Sequence, residues 1–173
     1  MRLAMFSATW RICATFLLVV TTAASAASFS GKVVGVHDGD TITVLTVAKQ
    51  TVKIRLFGID APESKQPFGN RAKQELSAIV FGRHVRVEVE TKDRYGRTVG
   101  RVSAADVPVN MEMVRRGFAW WYRSYAKKDA GLATAEAEAK NARRGLWADK
   151  SPVPPWEFRK QPTPSVSARQ ATR

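Results

Sequence analysis

The fold class predicted by the sequence is α+β, mainly β: a small five-stranded barrel with about three helices. Three observations predict it. β-rich runs follow one another across very short turns, one later run alternates strictly between apolar and charged residues, and helix-spaced segments fill the rest of the central region.

The elements are read in chain order. "FSGKVVGVHDG" (29–39), "DTITVLTV" (40–47) and "QTVKIRLFGID" (50–60) are separated only by Asp38-Gly39 and by Ala48-Lys49-Gln50. Connections that short imply an antiparallel meander. Over 69–81, "GNRAKQELSAIVF" sets Ala72, Leu76, Ile79 and Val80 on one helical face, which predicts a helix. "HVRVEVE" (84–90) turns Val85, Val87 and Val89 one way and Arg86, Glu88 and Glu90 the other, the pattern of a half-buried strand. "DRYGRTVGRVSA" (93–104) reads as a turn at Tyr95-Gly96 and a fifth strand. A short helix is expected from Val109 to Gly117. An alanine-rich helix follows, with Leu132, Ala135, Ala139, Ala142 and Leu146 on one face and Gly145 as its stop. Five strands with a helix before the fourth fit an OB-like barrel, a common nucleic-acid scaffold, although a plain antiparallel sheet with helices on one face fits the same pattern.

Both ends fall outside this domain. Residues 1–26 carry Arg2 and Arg11, then "ICATFLLVV", then the small-residue stretch "TTAASA", the layout of a secretory signal peptide cut after Ala26, or alternatively after Ala27. The apolar run is shorter than the roughly 20 residues of a membrane span, so no stable anchor is expected after cleavage and the protein is expected to be secreted or periplasmic. The folded domain then runs over 27–150, and the proline-rich stretch from Ser151 to Arg173 is expected to lack regular structure.

Composition narrows the chemistry. The only cysteine, Cys13, lies in the leader, which excludes disulfides and thiolate ligands from the rest of the chain. His37 and His84 are too few for a zinc site, so any metal must be held by oxygen. Lys plus Arg total 28 against 15 acids, a net charge of +13; without Arg2 and Arg11 the balance is 26 against 15, or +11. Such a surface attracts polyanions: nucleic acid, anionic membranes or envelope polymers.

Against that basic background the acids stand out. Asp38-Gly39 suffices for a turn, yet Asp40 follows it at the first strand position, where aspartate is disfavoured. If the second and third runs pair, Asp40 and Asp60 end on the same sheet edge, with Glu63 just beyond on a turn stiffened by Pro62. Carboxylates gathered in this way repel unless a cation or a proton intervenes, and a hard oxygen set suits Ca²⁺ or Mg²⁺. Taken singly, each acid is better explained as a strand end, a turn residue, a helix cap or a surface charge than as a metal ligand. Arg55 and Arg97 supply forked donors for a phosphate. Arg55 stands five residues before Asp60, on the opposite face of a straight strand, so a bend is required to bring the two together.

"VHDGDTITV", "IRLFGIDAPE", "KDRYGRTVGRV" and "NARRGLW", in that order, resemble the thermonuclease, or staphylococcal nuclease-like, family over residues 29–148. The resemblance implies an OB-type barrel and a Ca²⁺-dependent endonuclease of low sequence specificity, acting on DNA and RNA and leaving 3′-phosphate ends. It implies that Asp40 and Asp60 ligate calcium together with the main-chain carbonyl of Ala61, where well-studied members have threonine. It gives Glu63 the role of activating water, and Arg55 and Arg97 that of binding the phosphate. It sets Tyr95 beside the phosphate-binding arginine. Tyr122 and Tyr125 are candidates for contact with substrate bases, while Phe118, Trp120 and Trp121 are read as core. A monomer is expected. The alternatives are a non-catalytic OB module that holds single strands, and a basic envelope-polymer binder; neither requires Asp40, Arg55, Asp60, Glu63 and Arg97 together.

Overall fold

The structure, a computed structural model, describes residues 27–161. The leader expected over 1–26 and the end of the proline-rich stretch, 162–173, lie outside the described residues.

The meander forms as expected. Strands β1 (Ser28–Val36), β2 (Thr41–Thr46) and β3 (Thr51–Leu56) pair antiparallel in sequence order. A two-residue strand, β4 (Ile59–Asp60), follows β3, and helix α1 (Gly69–Val80) comes next, burying Ala72, Leu76, Ile79 and Val80. Strands β5 (His84–Lys92) and β6 (Thr98–Ala104) form a hairpin, with β5 also paired to β1. Closure comes from a parallel contact of β3 with β6, Ile54 opposite Thr98 and Leu56 opposite Gly100. The circuit β1-β2-β3-β6-β5 is therefore a closed barrel without a free edge, and the open-sheet alternative does not apply. Register shifts at Val33/Gly35 in β1 and at Val89/Thr91 in β5 bend the two nine-residue strands around it.

The remaining elements cap the barrel. β7 (Val107–Pro108) leads into α2 (Val109–Arg115), then come β8 (Trp120–Trp121), the single turn α3 (Arg123–Ala126), α4 (Ala130–Asn141), a 3₁₀ turn (Gly145–Ala148) and the single turn α5 (Pro155–Phe158). Three helices of seven residues or more match the expected number, and α3 and α5 add one turn each. The alanine-rich helix ends earlier than expected: Arg143 adopts φ 50°, and Leu146 belongs to the 3₁₀ turn. Val33, Ile42, Val44, Ile54, Leu56, Val85, Val87 and Val102 fill the barrel, and Met113, Val114 and Leu132 from α2 and α4 extend the same core. Asn110, buried at the start of α2, locks the closure: its Oδ1 accepts from Val102 N at 2.9 Å, and its Nδ2 donates to Phe57 O at 2.9 Å and Gly100 O at 3.2 Å. No helix among the described residues is long and apolar enough to cross a membrane.

One expectation about the tail is corrected. Ser151 onward was expected to lack regular structure, but Pro155 starts a helical turn and is itself buried. Proline at the first helical position costs no backbone hydrogen bond, and Trp156 beside it supplies apolar surface to dock.

Candidate active site

Asp40 ends the bend immediately before β2 and is nearly fully buried. Its backbone N–H donates to Asp38 Oδ1 at 3.0 Å, so Asp38 serves the turn. Gly39 is required by a close approach rather than by a special dihedral: a Cβ there would lie 2.6 Å from the Cβ atoms of both Ala61 and Ala72. That contact presses the Asp38–Asp40 loop against the segment after Asp60. Asp40 Oδ2 consequently accepts from Ala61 N at 2.7 Å, and Oδ1 accepts from Thr41 Oγ1 at 3.1 Å.

Arg55 reaches the same point. Antiparallel pairing puts it opposite Thr41, next to Asp40 in the chain. The bend that the five-residue offset demanded is a turn at Phe57-Gly58, where Gly58 adopts φ +75°, after which β4 pairs with β8, Asp60 opposite Trp120. This reversal brings Asp60 back over the guanidinium. Arg55 Nη1 pairs with Asp40 Oδ1, and Arg55 Nη2 donates to Asp60 Oδ1 at 2.6 Å. Glu63 is partly exposed at the rim, its N–H held by Gln66 Oε1 at 3.1 Å.

A second guanidinium enters from α5. Arg159 Nη2 donates to Asp60 Oδ2 at 2.7 Å, and Nη1 donates to Asp60 Oδ1 at 3.3 Å and to Glu63 Oε1 at 2.7 Å. The hydrogen bond to Asp60 raises the pKa of Arg159 further above its ordinary value, against the opposing effect of burial and with help from Glu63. Asp40, Arg55, Asp60 and Glu63 are thus brought together at one end of the barrel.

Arg97 is bonded elsewhere. It precedes β6, which runs beside β3, but its Nε donates to Asp93 Oδ2 at 2.6 Å and its N–H to Asp93 Oδ1 at 3.0 Å. Burial alone would raise the pKa of Asp93, but the bonds from Arg97 and from Tyr95 N–H outweigh it and hold the carboxyl below its usual range. Tyr95, largely exposed, stacks beneath Arg94 and Arg97, whose guanidinium carbons lie 4.9 Å and 5.6 Å from its ring centre. Tyr122 lies parallel to Trp156 at 5.4 Å and contacts Tyr125 at 5.0 Å, while Tyr125 itself is exposed. Trp120 is buried, and Phe118 and Trp121 pack at the edge of the core.

The donor set fits a hard dication: two buried carboxylates, the main-chain carbonyl of Ala61 between them and Glu63, and neither sulfur nor imidazole. Among the described residues no three acidic or histidine side chains converge on one point, because guanidiniums stand between the carboxylates. A site of two aspartates, a carbonyl and water is still within what Ca²⁺ or Mg²⁺ accepts.

Residues 53–149 match the family model described as "Staphylococcal nuclease homologue". The chain belongs to that family. Within it, the chain is 44% identical over 161 residues to protein ParB of Escherichia coli, spanning 87% of this chain and 90% of that protein. It is 42% identical over 160 residues to the micrococcal nuclease of Shigella flexneri (87% and 91%), and 41% identical over 155 residues to an uncharacterized endonuclease of Haemophilus influenzae (87% and 86%). Arg159 and Trp156 lie beyond the stretch matched by the staphylococcal nuclease homologue model, and sequence reasoning assigned them no role. The one signal for them was the Pro-Pro-Trp run, legible as a helix start with an apolar anchor. Gln66, which also donates to Val153 O at 2.5 Å, had no sequence signal.

Proposed function

We propose that this member of the staphylococcal nuclease homologue family, a phosphodiester hydrolase, is an exported Ca²⁺-dependent endonuclease with little sequence preference. Its substrates are DNA and RNA, it leaves 3′-phosphate ends, and it works as a monomer in the periplasm or outside the cell after loss of residues 1–26. The observation that carries the reading is the junction of Asp40, Arg55, Asp60 and Glu63, drawn from the bend before β2, from β3, from β4 and from the segment after it to one rim of the barrel.

In this reading Asp40, Asp60 and the Ala61 carbonyl hold the cation, which when bound supplies Lewis-acid polarisation of a phosphoryl oxygen. Glu63, at the rim where water has access, takes a proton from the attacking water. That water adds to phosphorus in line, the bond to the 5′ oxygen breaks, and the leaving oxygen takes up a proton from solvent water while Glu63 returns its proton to solvent. Arg55 and Arg97 carry the charge that grows on the phosphoryl oxygens. For Arg97 this requires exchanging Asp93 for phosphate, a swap between two anionic partners of one guanidinium. Tyr95, Tyr122 and Tyr125 are the substrate-lining candidates.

Acid-soluble release from heat-denatured DNA, followed in calcium, in magnesium and in chelator, tests this. Calcium-dependent release that drops by about 10²–10⁴-fold in Glu63→Gln is the expected result. Salt-sensitive binding without release under any metal would instead identify a non-catalytic single-strand module.

A further inference from the structure

Residues 151–161 lie beyond the 53–149 stretch that matches the family model, yet they are seated on the acidic rim. Pro155 is buried, the Trp156 ring lies parallel to Tyr122 at 5.4 Å and edge-on to Trp120 at 5.7 Å, and Val153 O accepts from Gln66. From that footing Arg159 spans Asp60 and Glu63 with three hydrogen bonds, the shortest of them 2.7 Å. Both oxygens of buried Asp60 accept from a guanidinium: Oδ1 from Arg55 and Arg159, Oδ2 from Arg159. A dication approaching Asp60 therefore meets a positive charge already on the oxygens it needs.

The two arginines differ in what holds them. Arg55 projects from a barrel strand paired on both sides, so its backbone stays where it is. Arg159 follows a single helical turn at the end of the described chain, which can lift without unpairing any strand.

We propose that Arg159 is an affinity-determining residue of the metal centre, a cation tethered by the C-terminal segment that a divalent metal must displace from Asp60 and Glu63. The inference rests on the reading of Asp40 and Asp60 as metal ligands. A tethered competitor acts at a high effective concentration, and apparent metal affinity falls by the fraction of molecules in which the oxygens are free. When cation is scarce the carboxylates stay neutralised from within; when it is plentiful Arg159 is released toward the substrate side of the rim.

Calorimetric titration of the purified protein with Ca²⁺ alone, without nucleic acid, tests it. Four variants are compared with the parent, each checked for its fold by circular dichroism. Lys49→Gln controls for net charge, because exposed Lys49 sits in the turn at the far end of β2 from Asp40. Arg159→Gln is expected to bind Ca²⁺ about tenfold more tightly, and Lys49→Gln within about twofold of the parent. Arg159→Lys, which keeps the charge but loses the fork, should fall between them. An Arg159→Gln affinity equal to or weaker than the parent, or no greater than that of Lys49→Gln, overturns the inference; if Asp40→Asn still weakens Ca²⁺ binding, the metal reading survives that failure. Ca²⁺ binding by the parent that Asp40→Asn leaves unchanged, or no Ca²⁺ binding by the parent and by Arg159→Gln, overturns both.

Discussion

Asp40 ties together the two loops that meet at the proposed site. Its Oδ2 accepts from Ala61 N, tying the first loop to the second, while Oδ1 faces Arg55 and Thr41. Asn at this position keeps an acceptor for Ala61 N but removes a charge from a crowded set of carboxylates. Asp40→Asn is therefore expected to melt within a few degrees of the parent while losing Ca²⁺ affinity and nuclease activity by at least about 100-fold. Parallel thermal melts and rate assays check this, and a variant that cuts at the parent rate would remove Asp40 from the metal site. Arg55 tests the geometry in the same way. Lysine keeps the charge but cannot grip Asp40 and Asp60 together, so Arg55→Lys should lower kcat/KM by about 10²-fold or more with little change in melting temperature. At this scale the sequence was informative: the second aspartate of Asp-Gly-Asp, the aspartate before Ala-Pro-Glu and the arginine five residues earlier do converge. Their convergence depends on Gly58, whose positive φ turns the chain, and a glycine in a sequence marks such a turn without stating its direction.

Among the elements, those with strong period were legible and those made by docking were not. α1 buries the very residues its spacing selected, and β5 buries Val85 and Val87 and half-buries Val89, because alternation and helical spacing are local properties of the chain. The α5 turn has four residues and no period; it exists because Pro155 and Trp156 find Tyr122 and Trp120, which are distant in sequence. Helix α4 offers a test at this scale. Asp129 caps it through Leu132 N at 3.0 Å and also pairs with Arg101 at 2.7 Å. Burial raises the pKa of that carboxyl, but the cap bond and Arg101 overcome this and leave it below the usual range. A carboxyl depressed in the folded state stabilises the fold above its unfolded pKa of about 3.9 and ceases to do so as pH falls through the lower folded value. Asp129→Asn retains a cap acceptor and loses the titration, so the difference in stability between parent and variant should shrink as pH is lowered from 5 toward 2. Asp129→Ala should cost about 1 kcal/mol at neutral pH by loss of the cap alone. Denaturant melts at neutral pH and from pH 5 down to 2 measure both effects.

For the molecule as a whole, barrel closure and net charge are separate questions. Closure depends on pairing β3 with β6, residues some forty positions apart, and no periodicity reports a contact of that kind. The buried amide of Asn110 fastens it with three hydrogen bonds, so Asn110→Ala is expected to cost about 2–4 kcal/mol by stranding Val102 N and Phe57 O, while Gly100 O keeps its bond from Phe57 N. Charge, by contrast, was plain from composition and says nothing of the fold. A chain carrying 28 basic residues against 15 acids should meet a polyanion through counterion release, which makes the encounter steeply dependent on salt. On single-stranded DNA, about five neutralised phosphates give a slope of log KM against log salt of about 3.5. The turnover step at saturating substrate, governed by groups packed at the rim, should change far less over the same range, because buried pairs are screened much less than exposed ones. Steady-state rates from about 50 to 200 mM monovalent salt separate the two, with KM expected to climb by about 10²-fold while kcat moves by less than about threefold. A flat KM with a falling kcat would mean that the basic surface does not track the substrate and that salt acts at the carboxylate rim instead.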